Sequence, residues 1–222
     1  MKTKTSRTQG SRYYPKRYDA HPAGRDAILD EGLVCHVAFT LEQQPFILPT
    51  GYCRVGDTLY LHGSVGSHFF MQIAKGIPVC VSVTLLDGLV FARSVFNHSM
   101  NYRSVVAFGR TRLVEDETER WMAAEKFTEH VAPGRWNDAR KPDASDMKKT
   151  MFIAVEIEEA SVKFRAHGAS DDPEDMGLPV WAGVLPLQLS PLAPETDESG
   201  VPDLPLPDYI QHYQRKASYR PA

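Results

Sequence analysis

The sequence predicts a mainly β (α+β) fold, a small antiparallel barrel with helices on its outside. Three observations carry this reading. Leu33, Cys35, Val37 and Phe39 alternate with Val34, His36, Ala38 and Thr40, and similar runs recur along the chain; this is the period of a half-buried strand. Several runs are separated only by short turn pairs such as Gly56-Asp57 and Asp87-Gly88, which suit tight hairpins and so antiparallel neighbours. Helical spacing appears in only a few places, which argues for a meander rather than a βαβ chain. A barrel also removes the unpaired edges that such strands would otherwise expose.

In chain order, a helix at 22–31 precedes the first strand, and strands follow at 45–55 and 58–63 (TLYLHG). A helix at 67–76 leads to strands at 78–86, 89–95 and 102–115. The next helix, 116–131, repeats Trp121, Ala124, Phe127 and Val131 at three- to four-residue steps, one buried face. Strands at 152–158 and 160–167 complete the set. Residues 1–20 are polar and aperiodic, with Tyr13, Tyr14 and Tyr18, and residues 188–222 carry Pro191, Pro194, Pro202, Pro205, Pro207 and Pro221. Both ends read as arms flanking one folded domain at 21–187.

Composition narrows the function. With 222 residues, 42% of them hydrophobic, the chain can build a core without disulfides or metal. Cys35, Cys53 and Cys80 are odd in number and sit in apolar runs, which suits reduced thiols in the cytoplasm. The 25 basic and 28 acidic side chains leave a net charge of -3, so nucleic acid is not the expected partner. No apolar run spans a bilayer, and MKTKTSRTQG lacks the apolar core of a signal peptide. His36, His62, His68, His98 and His167 show no HExxH-type spacing, and Asp171, Asp172, Glu174 and Asp175 lack an EF-hand's length and glycine, so no metal site is expected. Dinucleotide, nucleoside-triphosphate and hydrolase-elbow motifs are missing too.

Two segments carry chemistry. In TLYLHGSVGSHFFMQIAKG a strand ends at His62-Gly63, and a turn containing Ser64, Gly66 and Ser67 leads into a helix. Free amides, small residues and hydroxyls there suit a phosphate, although Ser67 equally suits an ordinary N-cap. In DGLVFARSVFNHSMNYRSVVAFG the strands are interrupted by Arg93, Asn97, His98, Asn101, Tyr102, Arg103 and Ser104, either a site or a solvated connection. Strand alternation there directs Ser104 inward and leaves Arg103 at a rim. His62 shares a face with Thr58 and Tyr60, opposite Leu59 and Leu61, and faces a ligand or water.

At these segments, and again at KFRAHGASDDPEDMGLPVWAGVLPL, the sequence resembles the pyridoxamine 5'-phosphate oxidase-like FMN-binding split-barrel family, in its flavin-nucleotide-binding and nitroimidazole-resistance-type branch. The resemblance runs from about Asp26 to Leu187. It implies a six-stranded antiparallel split β-barrel, paired as a homodimer with FMN in clefts between subunits. It further implies that Pro49, Thr50 and Tyr52 line the flavin ring edge and that His62, Gly63, Ser64, Ser67 and His68 surround the ribityl-phosphate end. Asn101, Tyr102, Arg103 and Ser104 match a flavin-contacting strand, and Trp181 matches an aromatic placed near the partner's cofactor. Where many relatives have a basic residue after the phosphate-loop serine, this chain has His68, so Arg103, Arg54 or Lys75 is left to meet the phosphate charge.

The function expected on this basis is an FMN-dependent oxidoreductase that moves hydride or electrons between a nicotinamide donor and a small organic acceptor, with His62 or Tyr102 relaying a proton. A non-catalytic flavin carrier or sensor and a haem-binding split-barrel protein are the alternatives.

Overall fold

In the computed structural model, which describes residues 7–8, 18–19, 22–197, 201 and 204–215, six long strands close into a ring. They are β2 (Val34–Leu41), β3 (Gln44–Val55), β4 (Thr58–Ser64), β5 (Pro78–Phe91), β6 (Ser99–Leu113) and β7 (Thr150–Arg165). All neighbours are antiparallel; the order runs β7-β4-β3-β2-β5-β6, and β6 pairs back onto β7. Two short strands attach outside the ring, β1 (Tyr18–Asp19) on β7 and β8 (Gly183–Pro186) on β5. The predicted barrel is therefore present. Tyr13, Tyr14, Pro202, Pro221 and most of the N-terminal arm lie outside the described residues.

The alternation read from the sequence sets the interior. Cys35, Val37 and Phe39 of β2, Leu59 and Leu61 of β4, and Val79, Val81 and Val83 of β5 are buried in one core with Val105, Ile153 and Val155. The β3–β4 hairpin turns at Gly56, whose φ of +60° suits glycine. Asp87-Gly88, by contrast, makes no turn. β5 runs through it as one strand of 14 residues, with a register shift between Leu86 and Gly88. Likewise 152–158 and 160–167 form the single strand β7, with a shift between Phe108 and Gly109 where it meets β6. A β-bulge bends a long strand while keeping its pairing, and a glycine at a sequence turn signal is equally a bulge signal.

The helices pack around this ring. α1 (Pro22–Glu31) and α3 (Glu117–Val131) fall where expected, and α3 starts at Asp116, whose side chain accepts from the Glu119 amide. α2 (His68–Ile73) is shorter than the expected 67–76. The one-turn α4 (Arg135–Asp138) and the short α5 (Ala144–Lys149) were not legible in the sequence. α5 opens on a reciprocal capping box between Asp143 and Asp146. A second core of Cys53, Tyr60, Ala123, Met147, Phe152 and Ala154 lies on the outer face of the sheet.

The C-terminal segment is less free than its prolines suggested. Its last described helix, α6 (Asp208–Gln211), and the residues after it bond to the end of α3 and to α4.

Candidate functional site

Strand β4 carries its side chains to two different environments. Leu59 and Leu61 enter the barrel, while Tyr60 and His62 face outward, where α3 and its loop cover them. The Tyr60 hydroxyl donates to Glu119 Oε1 at 2.7 Å. Burial and this carboxylate push the phenol up to about 12. Glu119 is itself held below the usual carboxylate range by Arg112, which lies 2.7 Å away.

Two residues further on, His62 stands between aromatic rings: Phe127 edge-on with centroids 4.1 Å apart, and Phe152 at 6.1 Å. Its Nδ1 is buried and has no hydrogen-bond partner among the described residues. Burial lowers the imidazole pKa, so the ring is held neutral near pH 7.

His62 opens onto a cavity of about 270 Å³, whose walls include Phe127, Trp136, Met147 and Phe152, with Arg140 among its lining residues. Two hydroxyls in the lining are committed elsewhere: Thr128 Oγ1 donates to Ala124 O, and Thr150 Oγ1 to Asp146 O, each at 2.9 Å. Arg140 is exposed and pairs with Asp146 at 2.8 Å. The cavity thus offers apolar and aromatic surface, one imidazole and the Arg140–Asp146 ion pair.

The other expected site residues are dispersed. Gly63 faces the barrel, where a Cβ would come within 2.2 Å of the Phe70 ring; the position serves packing rather than a ligand's approach. The serine turn is satisfied by itself, since Ser64 Oγ accepts from Gly66 N at 3.2 Å and Ser67 Oγ from Phe70 N at 3.5 Å. His68 lies 3.1 Å from Gln72 Nε2 across the helix surface. Lys75 donates to Gln72 Oε1, and Arg54 forks onto Asp30 at 2.8 and 2.6 Å.

Tyr52 is a core residue. It is fully buried and donates to Leu29 O at 2.5 Å, so it offers no edge to a flavin ring. Pro49 and Thr50 lie at the more open part of the same strand.

On β6 the expected orientation is reversed: Asn101 and Arg103 point inward and are buried, while Tyr102 and Ser104 lie on the other face. The reason is charge pairing. Arg103 forks onto Glu31 at 2.5 and 2.8 Å and onto Asp87 at 2.9 and 2.7 Å. With both carboxylates supplied, an arginine can leave water; its pKa is raised, first by Glu31. Asn101 accepts from Arg165 at 2.6 Å, Ser104 donates to Lys163 O at 3.3 Å, and Lys163 Nζ sits 5.5 Å over the Tyr102 ring. Trp181 is 68% exposed, with Phe91 6.0 Å away.

β3 and β6 lie three strands apart in the ring whichever way it is followed. Pro49 and Thr50 therefore do not share a surface with Tyr102 and Ser104 within one chain. The structure instead surrounds His62 with residues the sequence did not nominate, Trp136, Arg140 and Met147. The density of aromatics on α3 and in the segment after it, beside a histidine sharing Tyr60's face, was the available signal.

The family model described as pyridoxamine 5'-phosphate oxidase matches residues 22–164. The flavocytochrome Anf3 from Azotobacter vinelandii superposes with a TM-score of 0.86 at 36% identity, covering 95% of this chain and 97% of that one. An FAD and haem binding protein from Mycobacterium smegmatis gives 0.84 at 34% identity, covering 88% and 96%. A candidate 5-nitroimidazole antibiotic resistance protein from Bacteroides thetaiotaomicron shares the fold, with a TM-score of 0.57 at 20% identity over 66% of this chain and 85% of that one. No curated protein matches.

Proposed function

The chain belongs to the pyridoxamine 5'-phosphate oxidase family, and from that premise we propose that it is a redox protein binding a flavin nucleotide and a haem, with His62 as the haem ligand. The observation that carries the proposal is the buried, partnerless Nδ1 of His62 beside an aromatic cavity. Two relatives that are a flavocytochrome and an FAD and haem binding protein support it.

The residues fit a haem by their chemistry. A neutral imidazole keeps a lone pair for a metal ion, whereas a protonated one has none. Phe127, Trp136, Phe152 and Met147 would pack against a flat apolar ligand, and the hydroxyls of Thr128 and Thr150 are occupied elsewhere. Arg140 supplies a cation for a ligand carboxylate if it exchanges Asp146 for it. At about 270 Å³ the cavity is smaller than a whole porphyrin, so part of the macrocycle would extend beyond it. Bound haem would supply one-electron chemistry and bound flavin the exchange between hydride and single electrons.

The flavin is FMN on the sequence reading and FAD by likeness to the mycobacterial relative. We assign it to a cleft between two copies of the chain, where Pro49 and Thr50 of one copy would face Tyr102 and Ser104 of the other; their strands lie on opposite sides of the ring within one chain. Exposed Trp181, Val95 and Phe96 support a homodimer. The electron donor in this reading is a nicotinamide and the acceptor a small organic molecule.

Haemin titration tests the haem assignment. A Soret band saturating at one haem per chain, and lost in His62→Ala with the fold retained, is expected. Absence of the band, or its persistence in His62→Ala, would overturn it. Mass spectrometry of the nucleotide released on denaturation separates FMN from FAD, and release of neither removes the flavin from the proposal.

A further inference from the structure

Part of the wall of the His62 cavity comes from residues 134–142, through Trp136, Arg140 and Pro142, and inside this segment the regular structure is one helical turn, with an Arg135–Asp138 pair at 3.3 Å. α4 is a single turn, too short to persist alone. Its N-cap, Gly134, has φ of +93° and supplies no side-chain cap. From α3, Glu129 accepts the Gly134 and Trp136 amides at 2.8 and 2.9 Å.

Arg140 pairs with Asp146 of α5 at 2.8 Å and Lys141 sits 4.3 Å over the Trp136 ring; further anchors come from the C-terminal segment. The Tyr209 hydroxyl donates to Asp138 Oδ2 at 2.5 Å and accepts from Arg135 Nη1 at 2.8 Å, bridging both ends of α4. Its ring lies against Gly134, where a Cβ would come within 3.4 Å. Four residues on, the Tyr213 hydroxyl donates to Val131 O at 2.7 Å, and Arg215 donates to His130 O at 2.8 Å and to Glu31 O. These anchors tie the segment to the ends of α1, α3 and α4.

We propose that Tyr209 is a positioning residue that latches the 134–142 wall onto the His62 cavity and thereby sets how long a ligand bound there is retained. The latch rests on hydrogen bonds independent of what the cavity holds; only the identity of the retained ligand rests on the haem reading. Tyr209 itself does not line the cavity, so its effect on a ligand must pass through α4.

The test uses the full chain carrying Tyr209→Phe, which keeps the ring and removes the bridging hydroxyl, and the double variant Tyr209→Phe with Tyr213→Phe. Amide hydrogen exchange without added ligand is expected to speed up over 134–142 by about two- to tenfold in the single variant, the range one hydrogen bond contributes, and further in the double variant. Exchange in β4 should stay unchanged. No change over 134–142 in either variant overturns the latch, and equal acceleration in β4 overturns it too, since the effect would then be global. In haemin-loaded protein, transfer of haem to excess apomyoglobin should quicken by a similar factor with the Soret position unmoved. Faster exchange with unchanged haem release overturns the retention role. If the unmodified chain takes up no haemin, the haem reading falls, and the exchange result still decides whether the latch exists.

Discussion

His62 meets Phe127 edge-on, with ring centroids 4.1 Å apart at 71°, and the imidazole is buried there. Burial lowers its pKa, and burial likewise lowers that of His130, whose Nε2 donates to Gly32 O at 2.7 Å. The unfolded chain takes up these protons first as the pH falls below about 6.5. Stability from both groups is therefore complete above that value and is lost as pH falls through it towards the lower folded values, with a slope of at most ~1.4 kcal/mol per pH unit per group. Urea midpoints at pH 7.5 and 5.5 should drop on acidification. The drop should shrink in His62→Leu and in His130→Gln; equal acid sensitivity in both variants would refute the assignment.

Arg103, with a side chain 8% exposed, holds Glu31 at the end of α1 and Asp87 on β5. Removing the cation leaves the Glu31 and Asp87 carboxylates facing each other without the guanidinium between them. Arg103→Met should cost about 2–4 kcal/mol, discounted from a fully buried pair because Asp87 is 32% exposed. Denaturant unfolding checks this, and a loss under 1 kcal/mol would show that the network is effectively solvated.

Gly63 should tolerate no side chain. A methyl group there would lie 2.2 Å from the Phe70 ring, so Gly63→Ala forces β4 and α2 apart at a cost of about 1–3 kcal/mol. A melting temperature within one degree of the parent's (roughly the ~0.3 kcal/mol that would shift it so little) would mean that Phe70 has room to turn aside.

Trp181 tests the proposed dimer. In one chain it contacts Phe91 but is mostly exposed, so Trp181→Ala should change monomer stability by less than about 1 kcal/mol. Sedimentation at micromolar concentration should nevertheless shift from dimer towards monomer, because buried tryptophans dominate interface energies. An unchanged sedimentation profile would leave Trp181 outside any interface.

How far the sequence reached is clearest on β5. It was read as two strands, 78–86 and 89–95, with a hairpin at Asp87-Gly88, which is a bulge inside a continuous strand. Turn residues mark where a ladder is disturbed, and only the strands on either side decide whether the chain reverses there. Phe127 was recognised as a buried helix residue, yet its partner His62 lies on a strand 65 residues earlier. Nothing local in either segment records that contact.

By itself the sequence determined the class of fold, the apolar face of β4 and the positions of α1 and α3, because period-2 and period-3.6 patterning are local consequences of burying one face. Only the tertiary structure decided which polar residues are committed to other protein groups. Arg103 is neutralised by carboxylates from α1 and β5, Tyr52 is tied to the end of α1, and His62 is left without a partner for Nδ1 among the described residues. The physical reason is that hydrogen bonding and desolvation depend on what stands opposite a side chain in space. In a closed barrel, that neighbour comes from a part of the chain that no sequence period connects to it.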